Sequence, residues 1–199
     1  MSNFSVIGKD IHRTDGREKA TGSAVYTDDI KLPGMLHGKL LRSPVAHARI
    51  AHIDVRRAAA LPGVKCVITG EDTPKIKYGN WRLFPITQDE YPLAVDKVRF
   101  IGDEVAAVAA VDKDIAAEAL ELIQVEYEEL PAVFDIDNSL DKGAPVIHET
   151  SPINISIVRH ILYGFIEKGF SESDYVREDV FSVQDVSPAY LEPCSSIAL

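Results

Sequence analysis

The sequence predicts a mixed domain of α-helices and β-strands (α+β, mixed α/β), and three observations support this prediction. Short runs of β-branched or alternating apolar residues predict strands. The stretch 114–124 carries apolar residues at helical spacing, and clusters of Pro, Gly and Asp separate these runs. With 199 residues, of which 46% are hydrophobic and 26% charged, the chain can form one domain with a buried core, or one domain and part of another.

The first quarter of the chain is predicted to contain an arm, a turn and two strands. Residues 1–24 are polar, which predicts an extended arm. Paired aspartates and Pro33-Gly34 predict turns across 26–35. Strands are predicted at 36–43 and 48–55. One face of the second strand is predicted to carry Arg49, Ala51 and Ile53, and the other is predicted to carry Ile50, His52 and Asp54.

A short helix, a strand and a long loop are predicted next. Asp54 is placed to cap a helix at 55–61, which Pro62-Gly63 would end. The β-branched run at 64–70 predicts a strand. The stretch 71–93 has three prolines and predicts a loop with four aromatic residues, Tyr78, Trp81, Phe84 and Tyr91. These aromatics either anchor a partner or line a channel, or they hold the loop against its own core, and the sequence leaves both alternatives open.

The segment 97–134 shows the clearest periodicity, and it predicts two strands, a helix and a third strand. The apolar runs "KVRFIG" and "EVAAVAAV" are separated by a turn at Gly102-Asp103. We expect the alanines of the second run to allow a helix to pack closely on the sheet. Aspartates precede the helix at 114–124, and one of its faces carries Ile115, Ala119, Leu122 and Ile123. Residues 125–134 alternate like a half-exposed strand.

After Asp135 the composition changes to that of a connector, rich in Pro, Gly, Asn and Ser. A short helix is predicted at 166–174, and strands are predicted at 175–183 and 194–199. The last three residues are apolar, which leads us to expect that the chain is cut, or encoded, inside something larger.

Composition excludes several classes of partner and location. The formal net charge of -10 argues against a nucleic-acid groove or an anionic membrane surface. Cys66 and Cys194 have neither the spacing of a zinc site nor a disulfide framework, and we expect both to be reduced. The sequence has no secretory signal and no apolar run of membrane-spanning length, so a cytoplasmic protein is predicted.

No residue of this chain is predicted to be catalytic, to bind a cofactor or to bind a metal. Gly102 lacks the further glycines of a dinucleotide loop and is followed by two acids. His47 and His52 are five residues apart, which would place them on opposite faces of a strand. Asp28-Asp29 is predicted to form a turn rather than an acid–base pair. Three glutamates, Glu126, Glu128 and Glu129, are predicted to form a solvated edge, and the sequon at Asn154 is discounted for a protein that is not secreted.

Several motifs in order resemble the molybdopterin-binding large subunit of the xanthine dehydrogenase and aldehyde oxidase family. They are "GREKATGSAVYTDDIKLPGMLHGKLLRSPVAHARI", "ALPGVKCVITGED", "LAVDKVRFIGDEVAAVAAVDKDIAAEALELIQVEYEELPAVFD" and "GFSESDYVREDVFSVQDVSPAYLEPCSSIAL". The resemblance implies an arm at 1–15, an α/β hammerhead domain at 16–136, a linker at 137–150 and the incomplete start of a molybdopterin-binding domain at 151–199. Before Leu191-Glu192-Pro193 the family commonly has a histidine-containing stretch, whereas this chain has Val186–Tyr190.

The resemblance also implies partners and cofactors for the full enzyme. Molybdopterin would be held by glycine-rich loops outside this sequence, and iron-sulfur clusters and FAD would be carried by partner subunits of an oligomer. The chain alone is expected to be inactive and to have a structural role. The stretch 80–110 looks most like the 4-hydroxybenzoyl-CoA reductase branch, which implies an aromatic or aromatic-CoA substrate. The alternative is a stand-alone binding or scaffolding module, or a split-gene subunit.

Overall fold

Two antiparallel three-stranded sheets form the frame of residues 34–168. The first sheet has the strand order β1–β5–β3 and the second has the order β4–β2–β6. The strands are β1 (His37–Arg42), β2 (Ala48–Asp54), β3 (Val64–Thr69), β4 (Lys97–Val98), β5 (Glu104–Ala110) and β6 (Gln124–Glu129). The helices are α1 (Gly16–Thr21), α2 (Arg56–Ala59), α3 (Lys113–Glu121) and α4 (Ile166–Ser171), with single 3₁₀ turns at Thr27–Asp29, Gly70–Asp72 and Asn138–Leu140.

The computed structural model describes residues 4–79, 88–184, 186–190 and 194–199. The chain divides into two units, one formed by Gly34–Lys168 and the other by Met1–Pro33 together with Gly169–Leu199. Both sheets, both core clusters and helices α2 and α3 belong to the first unit. None of the helices in the described part of the chain combines the length and apolar character that crossing a bilayer requires.

The main core lies between β5 and α3, as the alanine pattern predicts. Ala106, Val108 and Ala110 alternate along β5 and are buried against Ala116 and Ala119 of α3. Side chains this small let the helix approach the strand closely, and close packing is needed for full dispersion contact. The prediction that the alanines of β5 serve helix packing is confirmed.

A second core cluster lies on the side of β2 and β4. It contains four buried residues, Ala48, Ala94, Val98 and Val105. Ile53 and Val125 are partly buried and pack against both clusters. Through these two residues, and through β5, which supplies residues to both, the two sheets share one continuous apolar interior.

The helix predicted at 114–124 is confirmed as α3, although it ends at Glu121. The Asp112 carboxylate accepts a hydrogen bond from the Asp114 N–H at 2.7 Å and so caps the first turn. Leu122 ends the helix, and Ile123 remains buried in the core as the chain turns into β6. The short helix predicted after Asp54 is also confirmed, and the Asp54 carboxylate accepts from the Arg56 N–H at 3.0 Å.

The prediction of two continuous faces on the second strand is wrong. The pairing of β2 with β6 shifts between Ile50 and His52, so Ala51 is an extra residue in the ladder. Such a bulge exchanges the two faces beyond it. Ala48 and Ile50 therefore point inward before the bulge and Ile53 points inward after it, while Arg49 and Ala51 are exposed.

Three further predictions of local structure differ from the fold. Residues 16–21 form α1 instead of an extended arm, and "KVRFIG" contributes only the two-residue β4 because Phe100 and Ile101 lie in a turn. The strands predicted at 175–183 and 194–199 are wrong, since no strand forms among the described residues there. A strand pattern becomes a strand only where a neighbouring edge offers its N–H and C=O groups. The other predicted strands, and the helix predicted at 166–174, are confirmed within a few residues at their ends.

Replacing Gly70 with alanine should destabilise this frame strongly. A Cβ at Gly70 would overlap the Ala94 carbonyl oxygen and would lie 2.9 Å from the Cα of Val95, so backbone would have to move. We expect a loss of about 3 kcal/mol in the free energy of unfolding, measured by urea denaturation. Gly38→Ala is the matched control, because its nearest neighbour would be the Val108 carbonyl oxygen at 4.0 Å. Equal effects of the two substitutions would contradict the prediction.

Candidate functional site

Two cationic side chains are buried at the edge of the second sheet. Lys97 lies on β4 and is 7% exposed, and the side chain of Arg99, two residues further on, is 8% exposed. Removing a charged group from water is costly unless opposite charges and hydrogen bonds compensate. We call Lys97 and Arg99 the cation pair. The groups around these two residues are therefore the most informative polar region of the described chain.

The carboxylate of Glu149 bridges the cation pair. One of its oxygens lies 2.7 Å from Lys97 Nζ and the other lies 3.1 Å from Arg99 Nη2. Asp96 is a weaker neighbour, with its carboxylate 4.0 Å from Arg99. Glu149 itself is 61% exposed, so the bridge has one solvent-facing partner and two buried ones.

Glu149 is delivered by an ordered loop, residues 135–154, which we call the Glu149 loop. Asn154 has a left-handed backbone conformation (φ 55°), and its amide nitrogen donates to the carbonyl oxygens of Ser139 and Pro145 at 3.0 and 2.9 Å. Its amide oxygen accepts from the Ile147 N–H at 3.2 Å. All of these partners lie within the loop, so Asn154 fixes the loop's internal shape.

The cations are also held from the side of the sheet. The Arg99 N–H donates to the Asp103 carboxylate at 2.8 Å, and Arg99 Nη1 donates to the Lys97 carbonyl oxygen at 3.3 Å. The turn between Arg99 and Asp103 is tied to β1, because Gly102 N–H donates to the Ser43 carbonyl oxygen and Ser43 N–H donates to that of Asp103, both at 2.8 Å. Gly102 has φ 99°, a left-handed conformation that glycine adopts without strain.

The charges of this region shift the pKa values of several groups. Partial burial raises the pKa of Glu149, but hydrogen bonds from Lys97, from its own N–H and from Arg99 outweigh burial and lower the pKa to about 2. Burial raises the pKa of Asp103, against the opposing effect of the Arg99 N–H. Burial also raises the pKa of Glu90, and the charges of neighbouring acids, Asp89, Glu104 and Asp103, add to the effect. The Glu149 carboxylate thus stays ionised in acid, whereas Asp103 and Glu90 take up protons more readily than usual.

His148, next to Glu149, faces the segment before β4. Its Nδ1 lies 3.7 Å from the Asp89 carboxylate, and burial lowers the pKa of the imidazole. Nearby, Tyr78 and Glu90 form an isolated antiparallel bridge, with the Tyr78 N–H donating to the Glu90 carbonyl oxygen at 2.8 Å. The Glu149 loop therefore contacts the rest of the unit through both Glu149 and His148.

The turn predictions for two of the sequence candidates are confirmed. Gly102 lies in the turn described above. Asp28 and Asp29 lie in a 3₁₀ turn, where the Asp29 carboxylate accepts from the Tyr26 N–H at 3.0 Å. The three glutamates of β6 are exposed on an edge strand, as predicted.

The two histidines considered together occupy different environments. His47 precedes β2 and is buried, with Nδ1 2.7 Å from the Pro131 carbonyl oxygen. A carbonyl oxygen can only accept, so Nδ1 is the donor in this bond. His52 lies on β2 and is exposed. Their odd separation predicted opposite faces of one strand, but the bulge at Ala51 means that this spacing no longer determines the faces.

Of the four aromatic residues predicted in the loop 71–93, two lie in the described part of the chain. Tyr91 is half-buried, with Lys77 Nζ 5.3 Å from its ring centroid, while Tyr78 is exposed. Trp81 and Phe84 lie outside the described residues, so the role of the aromatic loop stays a prediction.

Cys66 and Cys194 are free and exposed. Within the described ranges, no cluster of His, Cys, Asp and Glu is arranged to hold a metal ion.

Sequence reasoning missed the cation pair, Glu149 and Asn154. One signal was present: Lys97 and Arg99 stand in an apolar run, where a buried cation requires a counterion. The counterion lies fifty residues from Arg99 in the sequence, in a segment whose composition indicated only a connector. The attraction between the two cations and the Glu149 carboxylate can fix the loop to the sheet, and this positioning is the function that the arrangement supports.

Comparison with known proteins gives a consistent match. Residues 21–131 match the family model for the aldehyde oxidase and xanthine dehydrogenase a/b hammerhead domain. The chain is 36% identical over 196 residues to the nicotinate dehydrogenase large molybdopterin subunit of Eubacterium barkeri, covering 98% of this chain and 45% of that protein. It is 38% identical over 187 residues to a probable xanthine dehydrogenase subunit of Bacillus subtilis, covering 94% of this chain and 24% of that one.

A solved structure shows the same fold. The aldehyde oxidoreductase of Desulfovibrio desulfuricans superposes with a TM-score of 0.68 at 29% identity, covering 73% of this chain and 17% of that one. The chain thus spans less than half the length of each of these three proteins.

Replacing Glu149 with glutamine should alter the acid stability of the chain. The Glu149 pKa lies below its ordinary value of 4.5, so its stabilisation is present above pH 4.5 and is lost as the pH falls towards about 2. Because the carboxylate is largely exposed, we expect Glu149→Gln to cost only about 1 kcal/mol at neutral pH. The cost should shrink through this window, as followed by urea denaturation at each pH. Glu128→Gln is the control, and parallel pH curves for the wild type and Glu149→Gln would contradict the prediction.

Proposed function

The chain belongs to the aldehyde oxidase and xanthine dehydrogenase family, and we propose that it forms the N-terminal part of the large subunit of a molybdenum-dependent oxidoreductase. In this proposal its own role is structural: it supplies the hammerhead domain and the first segment of the molybdopterin-binding domain. The observation that carries the proposal is the match of residues 21–131 to the hammerhead family model. The near-complete coverage of this chain by the Eubacterium barkeri and Bacillus subtilis relatives supports it.

Exposed apolar side chains support the proposal that other parts of a large subunit cover this chain. The described residues between 157 and 190 present many large apolar groups to solvent, including Tyr163 at 97% and Val180 at 95% exposure. Exposed apolar stretches of this kind indicate contact with another protein surface. We propose that the remaining molybdopterin-domain segments provide that surface and supply the strand edges that residues 175–183 lack.

The cation pair and the Gly102 turn do not fit the cofactor. An anionic pterin cofactor requires free cations or a nest of backbone N–H groups. The cation pair is already bridged by Glu149, and the Gly102 turn is followed by the carboxylates of Asp103 and Glu104. We therefore assign no cofactor contact and no catalytic step to the described residues. Molybdopterin binding and catalysis belong, in this proposal, to the rest of the large subunit.

The proposed complex also contains an iron-sulfur subunit and an FAD subunit, acts in the cytoplasm and forms an oligomer. The acidic net charge of -10 supports the proposal that neither nucleic acid nor an anionic membrane is a partner. For the substrate we propose an aromatic compound, because the names of two relatives contain nicotinate and xanthine, which are aromatic nitrogen heterocycles. The assignment to the 4-hydroxybenzoyl-CoA reductase branch stays a prediction.

The alternative function is a stand-alone scaffolding module or a separately encoded subunit of a split enzyme. A stand-alone module would keep its apolar residues within its own fold or within a self-association surface. A split subunit would pair with a second chain that carries the glycine-rich loops. The size and metal content of the native assembly separate these alternatives from the proposal.

Purification of the tagged chain from its native host tests the proposed function. We expect native mass spectrometry to show a complex with molybdenum, iron and FAD, and we expect the chain produced alone to contain no stoichiometric molybdenum and to be inactive. Val180→Asp should weaken the complex because it places a charge on an exposed apolar site, whereas Glu128→Gln should leave the complex intact. An isolated chain with stoichiometric molybdenum and dehydrogenase activity, or a monomer without partners in its host, would overturn the proposal.

A further inference from the structure

We propose that the cation pair is a carboxylate-binding site in which Glu149 is the resident ligand, and that an external carboxylate can take its place and release the Glu149 loop. This inference concerns a binding site within the chain and does not depend on the proposed function. It rests on the way the cations are held, on the exposure of Glu149 and on the internal bonding of the loop.

The backbone at both cations and the guanidinium of Arg99 are held by groups other than Glu149. Lys97 is fixed by β4, where its N–H donates to the Asp96 carboxylate at 3.0 Å. Arg99 is fixed by its backbone bond to Asp103 and by its guanidinium bond to the Lys97 carbonyl oxygen. Neither arrangement uses the Glu149 loop, so the backbone at both residues and the Arg99 guanidinium keep these partners when the loop leaves. A preformed site spares the ligand the cost of ordering it.

The geometry of the site suits a carboxylate. Two donors, Lys97 Nζ and Arg99 Nη2, each contact a different oxygen of the same planar group. Arg99 Nε is buried and has no hydrogen-bond partner among the described residues, which leaves a further donor on the same guanidinium. Burial of the cations strengthens their attraction for an anion. Without an anion, two nearly buried cations would remain uncompensated, so an empty site is unfavourable.

The charges around the site favour a singly charged ligand. Asp96 lies 4.0 Å from Arg99, and the Asp103 carboxylate accepts from the Arg99 N–H. Phosphate carries more negative charge than a carboxylate at neutral pH, so these two acids oppose it more strongly. We therefore expect acetate or formate to bind in preference to phosphate.

The Glu149 loop can leave as one piece. Its internal bonds, from Asn154 to Ser139, Pro145 and Ile147, do not involve the cation pair. The 61% exposure of Glu149 places the bridge at the surface, where a soluble carboxylate can reach it. Lys142 lies on the same loop, so a rise in the rate of trypsin cleavage after Lys142 reports release of the loop.

Chemical rescue of Glu149→Ala in the full chain tests this inference. We expect Glu149→Ala to lower the thermal midpoint and sodium acetate to restore about 2–4 °C of it in a saturable manner. Sodium chloride and phosphate at equal ionic strength should restore less. Glu128→Ala, which removes an exposed carboxylate from β6, is the matched control and should show no effect specific to acetate. Absence of acetate-specific rescue, equal rescue by phosphate, or equal rescue of the control would overturn the inference.

The wild-type chain gives an independent readout if Glu149→Ala does not fold. Acetate should compete with Glu149 and speed trypsin cleavage after Lys142 about twofold or more relative to chloride at equal ionic strength. Cleavage after Lys113, at the start of α3, is the internal reference and should not change. An acetate effect of equal size at both sites, or no effect after Lys142, would overturn the inference.

Discussion

The close approach of α3 to β5 is the constraint on which the rest of the larger unit depends. It is possible because the facing residues are small: Ala106 and Ala110 on the strand and Ala116 and Ala119 on the helix are completely buried. β5 is also the central strand of the first sheet, and through Val105 it contributes to the second core cluster. A larger side chain at these alanines would separate helix from strand and thereby disturb both sheets. The position of the cation pair also depends on this packing, because Val98, which lies between the two cations, belongs to the second core cluster.

The sequence predicts the elements whose signal is local and misses those whose cause is distant. The alternation in β5 and the helical spacing in α3 arise within a few residues, and both elements were predicted in the correct order. The bulge in β2 is different, because it is imposed by pairing with β6, more than seventy residues away. The strand predicted for "KVRFIG" fails because Phe100 and Ile101 are drawn into a turn tied to Ser43. No local pattern could show that the counterion for Lys97 would come from Glu149.

The candidate site is electrostatic and positional in character. Its buried cations and its exposed carboxylate hold one loop against one sheet, and the bonds of Asn154 fix the internal shape of that loop. This fits the placement of the chain in the xanthine dehydrogenase and aldehyde oxidase family, through a domain that is one part of much longer proteins. The segment 97–134, one of those that carry the family resemblance, also supplies most of the buried core residues. The motif is therefore explained by packing in this chain, with small residues and turns placed where the helix and strands meet.

The order in which the chain leaves the ribosome gives the Glu149 bridge a further consequence. All six strands and α3 lie before residue 130, so the frame can begin to form while later residues are still being synthesised. During that interval Lys97 and Arg99 lack the carboxylate that bridges them in the finished fold. Water must then solvate these cations, which keeps this edge of the nascent domain open. Glu149 then supplies the bridging carboxylate, so a loop made later compensates the charges of residues made fifty positions earlier.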